Sequence, residues 1–139
     1  MKIARIDNTA RFPTKGSLEA AGFDLYMAGD NDFTLYPMQR QLFPTRLIVA
    51  VPDGYYGRVA PRHGIDVLAG VVDSDYRGEL MVMLINLGEK EITFHPGNRI
   101  AQLVVEKYAS WRDISIVAAT VGELADTERG AGGFGSTGK

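Results

Sequence analysis

Short runs rich in β-branched and aromatic residues recur along this chain, at 22–26, 32–35, 47–51, 55–60, 67–72, 80–86, 91–94 and 100–108. Turn-forming residues bound them: Pro37, Pro44, Pro52-Asp53-Gly54, Leu87-Gly88 and His95-Pro96-Gly97-Asn98. Runs of this length between breakers are the pattern of strands, and no long amphipathic helical period interrupts them. The chain is therefore expected to be all-β.

At 139 residues it fits one domain with one core. With 45% apolar residues, 23% charged and a net charge of −2, it belongs with soluble globular proteins and shows no basic surface for nucleic acid. Cysteine is absent, which excludes disulfides, thiolate nucleophiles and zinc–sulfur sites. With two histidines in all, any metal should be bound by oxygen. The start, Met1-Lys2-Ile3-Ala4-Arg5, lacks the apolar stretch of a secretion signal, and no run of about 18 apolar residues is available to span a membrane. A cytoplasmic or other intracellular location is the expectation.

Leu80-Met81-Val82-Met83-Leu84-Ile85 is apolar throughout instead of alternating. Such a strand is covered on both faces, here by its own core and by a second subunit, so an oligomer is expected over a monomer.

Apolar patterning ends near residue 121, which divides the chain into a β-domain at 1–121 and a glycine-rich arm at 122–139. The arm closes with Arg129-Gly130-Ala131-Gly132-Gly133-Phe134-Gly135-Ser136-Thr137-Gly138-Lys139. A flexible linker is the bland reading of such a tail. Against it, glycine backbone N–H groups can surround phosphate oxygens, Arg129 adds a fixed charge and Phe134 offers a stacking face. That combination suits a nucleoside triphosphate.

Val71-Val72-Asp73-Ser74-Asp75-Tyr76-Arg77-Gly78 lies between two strand-like runs and reads as a β-hairpin whose tip carries two carboxylates and a tyrosine. Asp-x-Asp-x-x-Gly matches part of a calcium loop, but the later acidic ligand is missing and the flanks are strands. An apolar floor of Val71 and Val72 would hold Asp73 at fixed depth, where its carboxylate could take a proton from an attacking water.

With these segments in order, the chain resembles the trimeric dUTPases from Ala20 to Gly138. Ala20-Ala21-Gly22-Phe23-Asp24-Leu25-Tyr26 is similar to the family's first motif, Pro61-Arg62 opens the second, and Gly70 to Gly78 resembles the third. Gly97-Asn98-Arg99-Ile100-Ala101-Gln102-Leu103 resembles the fourth, with Asn98 where an acidic residue is common, and 129–138 resembles the fifth. An ordered set of motifs is far more specific than any one of them.

The resemblance implies a jelly-roll-like β-barrel and a homotrimer with active sites at subunit interfaces, each closed by a crossing C-terminal arm. It implies hydrolysis of dUTP to dUMP and pyrophosphate, with Asp73 activating water for attack on the α-phosphorus and Gln102 helping to hold that water. Tyr76 would lie against the deoxyribose and exclude a 2′-hydroxyl, and backbone groups of the 67–81 hairpin, including Gly70, Val71, Val72 and Met81, would meet the uracil. Such a pocket rejects thymine by overlap and cytosine by mismatched buried hydrogen bonds. Phe134 would stack on the uracil ring, with Arg129, Gly135, Ser136 and Thr137 reaching the γ-phosphate. Mg2+ would ride on the phosphates and water without direct protein ligands, leaving Asp24 structural or in the metal's outer surroundings; on the bland reading Arg99 is a structural ion-pair partner. Neither a membrane nor a nucleic-acid partner is implied.

The second motif departs from the family pattern Pro-Arg-Ser-Gly-Leu. Here Pro61-Arg62 runs directly into His63-Gly64-Ile65-Asp66-Val67. Either His63 replaces the serine and a contraction follows, or about six residues, roughly 9 Å if helical, are missing after Arg62. The second alignment keeps His63 to Gly70 in register. The lost serine and helix-start N–H groups would have contacted the α/β-phosphates, so activity below the family's is expected. A dUTP-binding or regulatory trimer with little catalysis is the alternative, and a dCTP deaminase of related fold is a third reading.

Overall fold

The structure, a computed structural model, describes residues 1–62, 65–110 and 112–128. Its strands are β1 (Lys2–Arg5), β2 (Gly22–Tyr26), β3 (Phe33–Leu35), β4 (Arg40–Ala50), β5 (Tyr55–Ala60), β6 (Asp66–Ala69), β7 (Val71–Val72), β8 (Glu79–Ile85), β9 (Ile92–Phe94) and β10 (Arg99–Lys107). They form two four-stranded sheets, in the orders β1-β4-β8-β6 and β2-β10-β5-β7, with β3 and β9 as a separate pair. All pairings are antiparallel, and neighbours such as β2 and β10 are far apart in sequence. This is the expected all-β, jelly-roll-like architecture, in which strands cross between two facing sheets.

The core lies between those sheets. In β8 the side chains of Leu80, Val82 and Leu84 are buried while Met81, Met83 and Ile85 stay half-buried, as the two-residue period of a strand requires. Phe43 of β4 is fully buried and meets Phe33 and Phe94 edge-on, with ring centroids 5.6 and 5.0 Å away. That cluster ties the β3–β9 pair to the barrel.

Three elements differ from the sequence expectation. β4 starts at Arg40, not near residue 47, and runs through Pro44. Proline is tolerated because the β4–β8 register shifts between Pro44 and Ile48 and because β1 pairs with β4 only from Leu47 onward, so no ladder donor is lost. The run at 67–72 is two strands: β6 pairs with β8, and β7 pairs with β5 in the other sheet. β1 is an edge strand of mixed polarity that no apolar pattern announces.

By its contacts the chain divides into a unit at Met1–Ala109 and a second at Ser110–Lys139, so the pattern boundary at 121/122 falls inside the second. Regular structure in the described part of that second unit is one 3₁₀ turn at Val121–Glu123, capped where the Thr120 backbone N–H and hydroxyl donate to the Glu123 carboxylate at 2.7 and 2.8 Å. Among the described residues no helix is long and apolar enough to cross a membrane.

Candidate active site

Gly70 is where the chain leaves one sheet for the other. Its carbonyl accepts the Val59 N–H at 2.7 Å, and a Cβ at this position would lie 2.8 Å from the Val59 carbonyl oxygen. Only glycine lets β7 approach β5 so closely. β7 then carries the chain to Asp73, and the 73–78 segment returns it to β8.

That return is a tight loop and not the tip of a two-stranded hairpin. The expected hairpin exists only at its base, where β6 pairs with β8; β7 and β8 lie in different sheets. The floor expected from Val71 and Val72 is correspondingly Val72 alone, 6% exposed, because strand alternation turns Val71 outward to 71% exposure.

Within the loop the Tyr76 N–H donates to the Asp73 carbonyl at 3.2 Å. The Arg77 guanidinium donates to the carbonyls of Ser74 and Tyr76, both at 2.7 Å, and fastens the turn from outside. The Tyr76 hydroxyl donates to the Glu79 carbonyl at 3.0 Å. Asp73 and Asp75 are both exposed.

A cavity of about 410 Å³ opens here, lined by Val59, Gly70, Val71, Val72, Asp73, Tyr76, Glu79, Leu80 and Met81. It gathers the expected base, the expected sugar contact and the expected uracil-facing segment in one place. Glu79 and the apolar wall of Val59 and Leu80 were not anticipated. A lone acidic residue opening an otherwise apolar strand was the available signal for Glu79.

Gln102, Asp24 and Arg62 are not in that lining and form a second group, carried by β10, β2 and the segment just after β5. Gln102 sits opposite Asp24 on one side and Ala60 on the other, and its side-chain amide donates to the Pro61 carbonyl at 3.5 Å. Gly22 makes room for it: a Cβ there would meet the Gln102 Oε1 at 2.6 Å.

Asp24, 8% exposed, pairs with Arg62 through one oxygen and with Arg99 Nε at 3.2 Å through the other. A buried carboxylate needs such partners. Tyr26 extends the group, its hydroxyl 2.5 Å from the Thr14 hydroxyl. The hydrogen bond with Thr14, and then Arg99, draw the Tyr26 phenol below its usual range, and Tyr26 in turn raises Arg99.

Asn98 has a local task. Its side-chain oxygen accepts the His95 N–H at 3.0 Å, and its backbone N–H donates to the His95 carbonyl at 2.9 Å, closing the turn into β10. His63, Arg129, Phe134, Gly135, Ser136 and Thr137 lie outside the described residues.

Among the described residues no three acidic or histidine side chains group as a metal site, and both oxygens of Asp24 already face guanidinium groups.

The sequence profile of the dUTPase family matches residues 8–138. The chain belongs to the dUTPase family. It is 47% identical to the deoxyuridine 5'-triphosphate nucleotidohydrolase of Mus musculus over 145 residues, covering 100% of this chain and 85% of the mouse protein. Because that alignment is six positions longer than the 139 residues of the chain, at least six of its positions have no residue here.

In fold, the chain is similar to the dUTPase of Staphylococcus bacteriophage 80alpha solved with dUpNHpp, with a TM-score of 0.85 at 23% identity, covering 99% of this chain and 98% of that one. A mutant dUTPase of phage phi11 of S. aureus, solved with a structural Mg(II) ion, gives a TM-score of 0.76 at 19% identity, covering 88% of this chain and 98% of that one.

Proposed function

We propose that this chain hydrolyses dUTP to dUMP and pyrophosphate, with Asp73 drawing the proton from the water that attacks the α-phosphorus. The observation that carries this reading is the cavity in which Asp73, Tyr76 and the Gly70–Val72 backbone converge in a member of the dUTPase family. Asp73 holds the base in an open loop where water reaches it. The Tyr76 ring forms the wall against the deoxyribose, and the segment around Gly70 presents backbone groups to uracil. Magnesium, bound through the triphosphate, offsets phosphate charge and orients the phosphates. Support for its use comes from the phi11 dUTPase, solved with a structural Mg(II) ion.

The site is completed by other copies of the chain in a homotrimer. The outer face of the β1-β4-β8-β6 sheet carries Leu42, Pro44, Leu68, Met81, Met83 and Ile85, an apolar surface that Met81 joins to the cavity edge. A second copy on this face brings a neighbour's Gln102, Arg62 and Asp24 group toward Asp73, which explains why one chain keeps the two groups apart. Met83→Glu places a charge at the centre of that face and is expected to convert the trimer to monomer and remove most activity. Light scattering after size exclusion checks this, and an unchanged trimer mass contradicts the interface.

The arm supplies the remaining contacts: Phe134 stacks on uracil, and Arg129, Gly135, Ser136 and Thr137 hold the γ-phosphate. Stacking of a base on an aromatic ring contributes about 1–3 kcal/mol, so deleting residues 129–139 is expected to lower kcat/KM about ten- to a hundredfold. Steady-state kinetics on the truncated chain test it, and unchanged kcat/KM removes the arm from the site.

A coupled assay of pyrophosphate release tests the function as a whole, with turnover expected for dUTP and not for dCTP or UTP. Nothing in the fold favours a trimer that binds dUTP without hydrolysing it.

A further inference from the structure

We infer that Glu79 is a positioning residue: by gripping a bulge in the neighbouring strand it fixes the backbone carbonyl that orients Tyr76, and so sets discrimination against ribonucleotides. This rests on the reading of Tyr76 as the wall against the sugar.

The bulge lies in β4, where the register with β8 shifts between Pro44 and Ile48. Arg46 there has φ of 54°, in the left-handed region that non-glycine residues seldom adopt. The conformation frees its N–H from the ladder, and Glu79 takes it: Oε1 accepts the Arg46 N–H at 2.9 Å and Oε2 meets the guanidinium at 3.3 Å. Next along β8, the buried Thr45 hydroxyl donates to the Leu80 carbonyl at 2.5 Å. Arg46 is held from its far side by Asp7, 3.5 Å from Nε.

Residue 79 is thus clamped through its side chain at the point where its carbonyl receives the Tyr76 hydroxyl. On its other side the Tyr76 ring lies over Gly78, where any Cβ would overlap the phenol ring and hydroxyl, so the ring can occupy this position only beside a glycine. Glu79 and Tyr76 line the same cavity as Asp73. A wall excludes a single hydroxyl group only if it cannot shift by a fraction of an ångström. Glu79 supplies that rigidity through the backbone of residue 79.

The test is a double-mutant cycle on the full chain, read as the ratio of kcat/KM for dUTP to kcat/KM for UTP. E79A is expected to lower the ratio about three- to tenfold, the size of one hydrogen bond, mainly by raising UTP turnover. E79Q keeps an acceptor for the Arg46 N–H and should retain most of the ratio. Y76F, which keeps the ring but lacks the hydroxyl, should match E79A, and adding E79A to it should change nothing further. An unchanged ratio in E79A, or an equal further loss when E79A is added to Y76F, overturns the proposal. If E79A is poorly folded, E79Q and Y76F decide: a ratio in Y76F equal to that of the unmodified chain also overturns it. Y76A separates the two levels. If Y76A keeps the full ratio, the reading of Tyr76 itself is withdrawn; if Y76A loses it while Y76F and E79A do not, only the role of Glu79 fails.

Discussion

Asp73→Asn is expected to lower dUTP turnover by about 10²–10⁴-fold, the range for removing a general base, while fold and dUTP binding persist. The substitution keeps the size of the side chain and removes only its capacity to take a proton. Asp73 is exposed, and among the described residues its carboxylate has no ion-pair or hydrogen-bond partner, so little of the fold depends on it. Its backbone carbonyl still receives the Tyr76 N–H, and the loop keeps its turn. Pyrophosphate release beside calorimetric dUTP binding separates the two effects. Near-normal turnover in this variant would remove Asp73 from the chemistry, and lost binding would give it a different role.

The second large effect concerns the junction after Arg62. The connection from β5 to β6 crosses between sheets in few residues, and the Ile65 N–H donates to the Arg62 carbonyl at 3.4 Å. We read the unmatched positions of the mouse alignment as a phosphate-contacting loop missing here, between Arg62 and His63. One preorganised donor to developing charge is worth about 10²–10³ in rate. Inserting a six-residue Ser-Gly-Leu-type segment after Arg62 is therefore expected to raise kcat by at least about 10²-fold, with a smaller change in KM. Arg62 should tolerate the insertion, since Asp24 anchors its guanidinium from β2. An insertion variant that folds, binds dUTP and turns over no faster would contradict a lost donor loop.

Much of the fold was legible because strand alternation and turn chemistry agree locally. β2 and β5 match their apolar runs residue for residue, and the Asn98 turn into β10 uses the residues that such turns favour. The errors share one cause, tertiary pairing overriding a local signal. Pro44 reads as a breaker, but a bulge lets β4 carry it. The run at 67–72 reads as one strand, but the close approach of Gly70 to Val59 sends its two halves to different sheets.

At the site, motif residues were legible through their order along the chain. Their division into two groups, with Asp73 and Tyr76 in one and Gln102, Asp24 and Arg62 in the other, was not, because it depends on pairings between strands far apart in sequence. Glu79 stood out only as a lone acidic residue opening an apolar strand, and its role was not legible. Its partner is a backbone N–H exposed by the left-handed turn at Arg46, and side-chain spacing carries no record of that.

We propose that this chain, assembled with its own copies, directs water to the α-phosphorus of dUTP. Hydrolysis of dUTP and magnesium in water labelled with heavy oxygen, followed by mass spectrometry of both products, tests it most directly. The expected products are dUMP carrying one labelled oxygen and unlabelled pyrophosphate. Label in the pyrophosphate, or dUTP left intact by the full-length chain, would contradict it.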